Sequence, residues 1–374
     1  MKHILLLALL LSAAPVFTQI TITNGNFPQV GDTLRIAVDN LPSNIPITAG
    51  GADLRWDFTT LQSPFTQQIA VRPASEGEQS FEFSNATLFT PLVASGEAYY
   101  RSTSTAYQMV GLYGEDPFNF GIRVPVRFNP AKVERRAPMR YGDNKQSSSA
   151  FAFAFSSDDL PDAILDQLPI TPDSMRIRIA SERHDVVDAW GKLTIPGNIY
   201  NVLREKRTEI REVRLDAKIG FLGWQDITNL IPNSDLVRKD TTVSYHFFSN
   251  EAKEPIAVVT MDKQEQKALR VEYKANDLVT DVQDVQALKP GVYAFPNPAI
   301  VTVRFEFSNL NPGNYKLTIY NILGTEVWSD RYYINGQRIE KVDISMLRKG
   351  TYLYSLQDER GKTITTKRLV VVRP

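Results

Sequence analysis

Two histidines, His184 and His246, are the side chains outside the N-terminal stretch that could move a proton near neutral pH. His184 sits in Glu182-Arg183-His184-Asp185, beside a carboxylate that could orient it. A serine nucleophile would have to be brought to that pair by the fold, and no G-x-S-x-G elbow offers one locally. His246 lies in Tyr245-His246-Phe247-Phe248, which reads as a strand with one buried face, so a packed histidine is expected there. No H-E-x-x-H or comparable metal spacing is present. The chain has no cysteine, which removes disulfides, thiolate zinc sites, cysteine nucleophiles and a lipidated cysteine together.

Carboxylates come next. Asp158, Asp159, Asp162 and Asp166 cluster in one segment and could offer hard oxygen ligands to calcium. Their spacing is not that of an EF-hand loop, and helix N-termini favour acidic residues, so capping or solvation is the expectation. Asp185 with Asp188, or Glu205, Glu209 and Glu212, could form the acid/base pair of a glycosidase if the fold placed two of them across a sugar. Tyr99, Tyr100, Tyr107 and Tyr113, with the dispersed Trp56, Trp190 and Trp224, could stack on sugars, but in a β-rich chain most are expected in the core. The run from Arg204 to Arg214 alternates in sign and reads as a solvated face. There is no phosphate-binding glycine loop. These features nominate no catalytic residue, no metal site and no cofactor.

The elements that would carry these side chains are strands. Leu34, Ile36 and Val38 alternate with Arg35 and Ala37; Phe151, Phe153 and Phe155 alternate with small residues; Met175, Ile177 and Ile179 alternate with Arg176 and Arg178. Period-two patterns of this kind mark half-buried strands. The 20 glycines and 22 prolines fall between them as turn punctuation, as in Pro196-Gly197 and Pro290-Gly291. One short helix is expected after Ser157, carrying Ile164, Leu165 and Leu168. Residues 201–214 are read as a long exposed strand rather than a helix.

The chain has 374 residues, enough for two or three domains and for folding without disulfides. Lysine plus arginine equals aspartate plus glutamate at 42 each, so bulk charge gives no reason to expect nucleic acid as a partner. Lys2 and His3, the apolar run 4–11 and the small residues Ser12, Ala13 and Ala14 read as a secretory signal over residues 1–18, cut near Thr18 and Gln19. That run is far shorter than the roughly 20 apolar residues of a spanning helix, and no later segment is long and apolar enough. No transmembrane segment is expected. A boundary is expected where Asp277, Asp281 and Asp284 precede Lys289-Pro290-Gly291, giving a passenger over 19–276 and a linker over 277–294.

From residue 295 the pattern is regular. Phe295-Pro296-Asn297-Pro298 makes a rigid start. Val301, Val303, Phe305 and Phe307 alternate, then Tyr315, Leu317 and Ile319; Asn335-Gly336 is a hairpin signal; Tyr352, Tyr354 and Leu356 share a face. Six or seven short strands in about 80 residues suit a small sandwich. The ordered set FPNP, YKLTIYNILGTEV over 315–327, DISMLRKGTYLYSL over 343–356 and KRLVVV over 367–372 resembles the type A C-terminal sorting domain of the type IX secretion system. Phe295 stands where that family usually has tyrosine, and Arg373-Pro374 extends past its usual ending.

The resemblance implies an immunoglobulin-like β-sandwich over 295–374. It implies export through the periplasm and outer membrane by the type IX translocon, to the cell surface or the medium. It nominates Gly324, Gly350, Tyr352, Lys367, Leu369 and Val370 as sorting-signal residues; packing and turn geometry are the competing roles. Residues 51–61 and 187–203 are similar to stretches of uncharacterised exported proteins and imply no activity. The expectation is an all-β protein: a β-sandwich-like passenger followed by the sorting sandwich. The passenger is expected to be a binding or adhesion module for a glycan or matrix ligand, with a polysaccharide hydrolase as the alternative.

Overall fold

The computed structural model describes residues 19–39, 42–62, 65–92, 96–115, 123–157, 172–230, 239–275, 291–295, 297, 299, 301–308, 310–321, 323–335 and 338–371. The signal read over 1–18, the short helix after Ser157 with its acidic cluster, Pro296, Pro298 and most of the expected linker lie outside these residues. The described chain is all-β, with only single 3-10 turns between strands.

The passenger contributes fifteen of the described strands: β1 (Thr33–Asp39), β2 (Gly51–Asp57), β3 (Phe65–Ala70), β4 (Arg72–Pro73), β5 (Leu88–Leu92), β6 (Gly96–Ser102), β7 (Ala106–Glu115), β8 (Arg123–Arg136), β9 (Asn144–Ser156), β10 (Ser174–Ile195), β11 (Asn198–Ile219), β12 (Gly223–Asp226), β13 (Lys239–Phe248), β14 (Ala257–Met261) and β15 (Ala268–Lys274). One sheet runs β2-β10-β11-β13-β14-β15-β1-β3, with β9 on β10 and β12 on β11; a second runs β4 to β8 in sequence order. The residues 201–214 belong to β11, so the strand reading of that stretch holds.

The hairpin β10–β11, 22 residues a side, is the spine of this fold. Pro196-Gly197 turns it, with Gly197 at φ 85°. Odd-numbered residues of β10 are buried along nearly its whole length. They enter two different cores, because the strand carries a bulge: Val187 faces Glu205 and Ala189 faces Arg204, leaving Asp188 as the extra residue. Before the bulge Met175, Ile177 and Ile179 pack with Phe153, Phe155, Val213 and Leu215. After it Ala189, Leu193 and Ile195 pack with Trp56, Tyr200, Val202 and Phe247. A one-residue shift in a period-two element exchanges its faces, so a single insertion lets one hairpin serve both cores. Gly191 sits where β2 runs parallel to β10; a Cβ there would lie 1.9 Å from the Leu54 carbonyl oxygen.

The aromatic residues fall largely where packing predicts. Trp56, Tyr99 and Tyr107 are buried, Tyr99 stacks on Phe83 at 4.3 Å, and Tyr100 stacks on Tyr107 at 4.9 Å.

The C-terminal module holds β16 (Gly291–Phe295), β17 (Thr302–Ser308), β18 (Gly313–Asn321), β19 (Glu326–Ile334), β20 (Arg338–Asp343), β21 (Gly350–Asp358) and β22 (Thr363–Val371). A three-stranded sheet β16-β17-β20 faces a four-stranded sheet β19-β18-β21-β22. Between them lie Val303, Phe305, Phe307, Leu317, Ile319, Leu356 and Leu369, all fully buried. The expected linker end is corrected: residues 291–294, placed in the linker, are paired in β16 with β17. Val292 is fully buried, so this strand is part of the sandwich core.

Candidate functional site

In the C-terminal module the six nominated residues gather toward one end of the four-stranded sheet. Gly350 pairs with Val371, Thr351 with Val370, Tyr352 with Leu369, and Tyr354 with Lys367. Asn321, at the end of β18, pairs with Tyr352, which brings the β18–β19 turn and Gly324 to the same end. That turn is built by Asn321, whose Oδ1 accepts the N–H of Leu323 and of Thr325, both at 3.0 Å. Gly324 has φ 81°, a conformation that favours glycine.

Gly350 differs. Its φ is not in the left-handed region, and a Cβ would sit 3.9 Å from the Tyr352 ring in ordinary contact. Turn geometry therefore does not require glycine at 350. Tyr352 is buried and donates its hydroxyl to the Arg348 carbonyl at 2.7 Å, and Leu369 is fully buried. Lys367 lies with its Nζ 3.0 Å from the centroid of the Tyr293 ring. Burial pushes its ammonium down to about 7, while the ring face beneath it attracts the charged form.

Sequence spacing did not single out Asn297, between the two prolines of FPNP. Its Oδ1 accepts the Val370 N–H and its Nδ2 donates to the Arg368 carbonyl, each at 2.8 Å. The only sequence signal was a side chain with one acceptor and one donor set between residues that have no N–H.

In the passenger the candidate carboxylates are brought together, but as partners of arginine. On the face that β10, β11 and β13 turn toward β8, Arg183 donates Nη2 to Asp185 Oδ2 at 2.9 Å, and Arg207 bonds Glu205. The Arg207 guanidinium also reaches the Glu134 carbonyl oxygen. Arg135 donates to the Asn26 and Lys253 carbonyls at 2.9 Å each and lies 4.5 Å over the Phe248 ring. Burial, then the neighbouring Arg207, pushes Arg135 down to about 10. Burial pushes the Glu209 carboxyl up, but Lys132, the Ser181 hydroxyl, Arg183 and Arg207 outweigh it and hold the group below its ordinary value. Asp188 is on the opposite side, paired with Arg204 at 2.8 Å.

The solvated-face reading of the run from Arg204 is thus corrected for its first half: Arg204, Glu205 and Arg207 are buried, while Arg211 and the Glu212–Arg214 ion pair are outside. What covers each face decides which of these charges lose water: Trp56 and Tyr245 lie against Arg204, and β8 lies against Arg207.

The two histidines are not brought together. His184 is exposed and shares a 2.6 Å hydrogen bond with Asn144 Oδ1. His246 is half-buried, with its Nε2 3.0 Å from Ser244 Oγ and its ring stacked on Phe248. Burial, then Arg207, Arg183, Arg135 and Lys132, hold its pKa well below the ordinary value of 6.5. Glu205, opposite it in register, is committed to Arg207. Among the described residues no group of three histidine or acidic side chains could hold a metal ion, and no helix is long and apolar enough to cross a membrane.

Residues 293–372 match the family model of the secretion system C-terminal sorting domain, Por_Secre_tail. The match begins inside β16 and ends one residue after β22, so it coincides with the sandwich. No curated protein matches the chain. The matched module marks the chain as a type IX secretion substrate that engages that machinery and is exported to the cell surface or the extracellular medium.

Proposed function

We propose that the exported passenger, residues 19–276, is a binding or adhesion module that works without catalysis, and that the secretion machinery reads Gly324, Gly350, Tyr352, Lys367, Leu369 and Val370. The observation that supports the first part is the state of the carboxylates. A retaining or inverting glycosidase needs two carboxyl groups facing each other across an open sugar site. Asp185, Asp188 and Glu205 are instead bonded to Arg183, Arg204 and Arg207, and Glu209 sits between Lys132 and Ser181. Each of these carboxylates is neutralised by a neighbouring cation, within one strand for Asp185 and Glu205 and across the β10–β11 hairpin for Asp188.

A surface suited to contact lies at the far end of the hairpin. Between Gly220 at φ 39° and Gly223 at φ 68°, the chain presents Phe221 at 98% exposure and Leu222 at 56%. Trp224 follows, with the Arg176 guanidinium 4.6 Å over its ring. Apolar and aromatic side chains next to a cation favour a glycan face or a protein surface over bulk water.

The test uses the full chain without residues 1–18, screened against glycans and matrix proteins, with both binding and product release followed. Binding without turnover, weakened by Phe221→Ala with Leu222→Ala, supports the module. Turnover that is lost on replacing a passenger carboxylate overturns it in favour of a hydrolase.

A further inference from the structure

The two ends of the sorting module meet at one side chain. β22 is the outermost strand of the four-stranded sheet, and its inner side is paired with β21. Val370 turns both backbone groups outward: its N–H goes to Asn297 Oδ1 and its carbonyl accepts the Ala299 N–H, each at 2.8 Å. The Arg368 carbonyl, on the same side, accepts Asn297 Nδ2 at 2.8 Å. Ala299 continues the contact as a parallel bridge to Val371.

A carboxamide offers one acceptor and one donor, as a peptide group does, so Asn297 stands in for the missing neighbouring strand. Aspartate lacks the donor and alanine lacks both groups. An unpaired edge would otherwise be free to shift or to pair with another chain.

We propose that Asn297 is a positioning residue of the sorting signal: it locks the last strand in the register that keeps Leu369 in the core and presents Lys367 and Val370 to the secretion machinery. Its two partners are 71 and 73 residues away in sequence. The signal is therefore assembled from both ends of the module and is complete only once the module has folded. A chain with a disordered or missing end carries the same residues but not the signal. This rests on the sorting-domain match and is independent of what the passenger binds.

The experiment expresses the full chain in a bacterium that has the type IX machinery, as wild type, Asn297→Asp, Asn297→Ala and Val342→Ala. Val342 is buried in β20 of the other sheet, so its truncation lowers stability without touching the clamp. Secreted and periplasmic amounts are measured beside thermal denaturation and amide hydrogen exchange of the purified chains. The expected result is a severalfold loss of export for both Asn297 variants, with fast exchange at Val370 in Asn297→Ala, which loses the acceptor of that N–H; Asn297→Asp keeps this acceptor and loses the bond to the Arg368 carbonyl. Val342→Ala, of equal or lower stability, exports like wild type. Normal export of Asn297→Ala with an unprotected Val370 amide overturns the proposal. So does an equal export loss in Val342→Ala, which would reduce Asn297 to a stability contribution. Deleting residues 291–374 is the separate control: normal export then would remove the sorting assignment itself.

Discussion

Asp188 and Arg204 join as two forks: Nε to Oδ1 and Nη2 to Oδ2 are both 2.8 Å. Asp188 is the extra residue of the β10 bulge, and Arg204 is opposite its neighbour Ala189. The remaining Nη1 donates to the Thr48 carbonyl at 2.9 Å, and the guanidinium lies 5.4 Å from the Trp56 ring and 4.9 Å from the Tyr245 ring. The insertion that turns the hairpin from one core to the other thus also aims a carboxylate at a fully buried arginine. Planar bidentate pairing with stacked aromatics is a geometry that lysine cannot reproduce.

Removing Arg204 is therefore expected to weaken the passenger strongly. Arg204→Met leaves Asp188 without its partner beside a packed core and costs about 3 kcal/mol, the low end for a broken buried pair because Asp188 keeps 21% of its side chain exposed. Arg204→Lys recovers only part of this. Urea denaturation followed by tryptophan fluorescence checks both; a midpoint unchanged in Arg204→Met would mean that the pair adds nothing net.

His246 makes the passenger sensitive to acid. Its folded pKa is held well below 6.5 by burial and by Arg207, Arg183, Arg135 and Lys132, whereas the unfolded chain protonates it near that value. The unfolded state then binds the extra proton first, so this contribution is complete above about pH 6.5 and is lost as pH falls toward the folded pKa. His246→Gln should narrow the difference in melting temperature between about pH 7.5 and about pH 5.5. An undiminished difference would assign the acid response to other groups.

These two residues also mark how far the sequence could be read. Alternation located β10, β11 and the strands around Phe305, Leu317 and Tyr354, because side-chain period is a local property. The bulge at Asp188 left no trace, since buried residues continue at odd positions through it while changing sides. Arg204 and Arg207 looked like solvent-facing charges for the same reason: what covers them, Trp56 in one case and β8 in the other, is distant in sequence. In the sorting module the motif residues are legible, but whether Gly350 serves the signal or turn geometry is not; its backbone, which requires no glycine, becomes visible only in the fold. Asn297 was visible only as part of FPNP, because its partners are at the opposite end of the module.

Lys367 should give the sorting module a pH response of the opposite chemical type but the same sign. Burial lowers its ammonium from 10.5 to about 7. Between those values the unfolded chain holds a proton that the folded chain has released, so stability from this group rises with pH from about 7 toward 10.5. Lys367→Met is expected to flatten that rise and to raise the melting temperature at neutral pH. A lower melting temperature instead would show that the Tyr293 contact outweighs the burial of the charge. The same variant separates packing from recognition: export lost from a more stable module assigns Lys367 to the signal.

Gly324 and Gly350 give the sharpest separation of shape from recognition. Gly324→Ala forces an alanine to φ 81° and is expected to destabilise the module by about 1 kcal/mol. Gly350→Ala adds a methyl group that meets only the Tyr352 ring at 3.9 Å and the Arg348 carbonyl at 4.0 Å, so its melting temperature should match wild type. If the machinery reads the surface at Gly350, export falls in that variant with no loss of stability. Normal export with normal melting would remove Gly350 from the signal and leave the strand edge held by Asn297 as the part that must be presented.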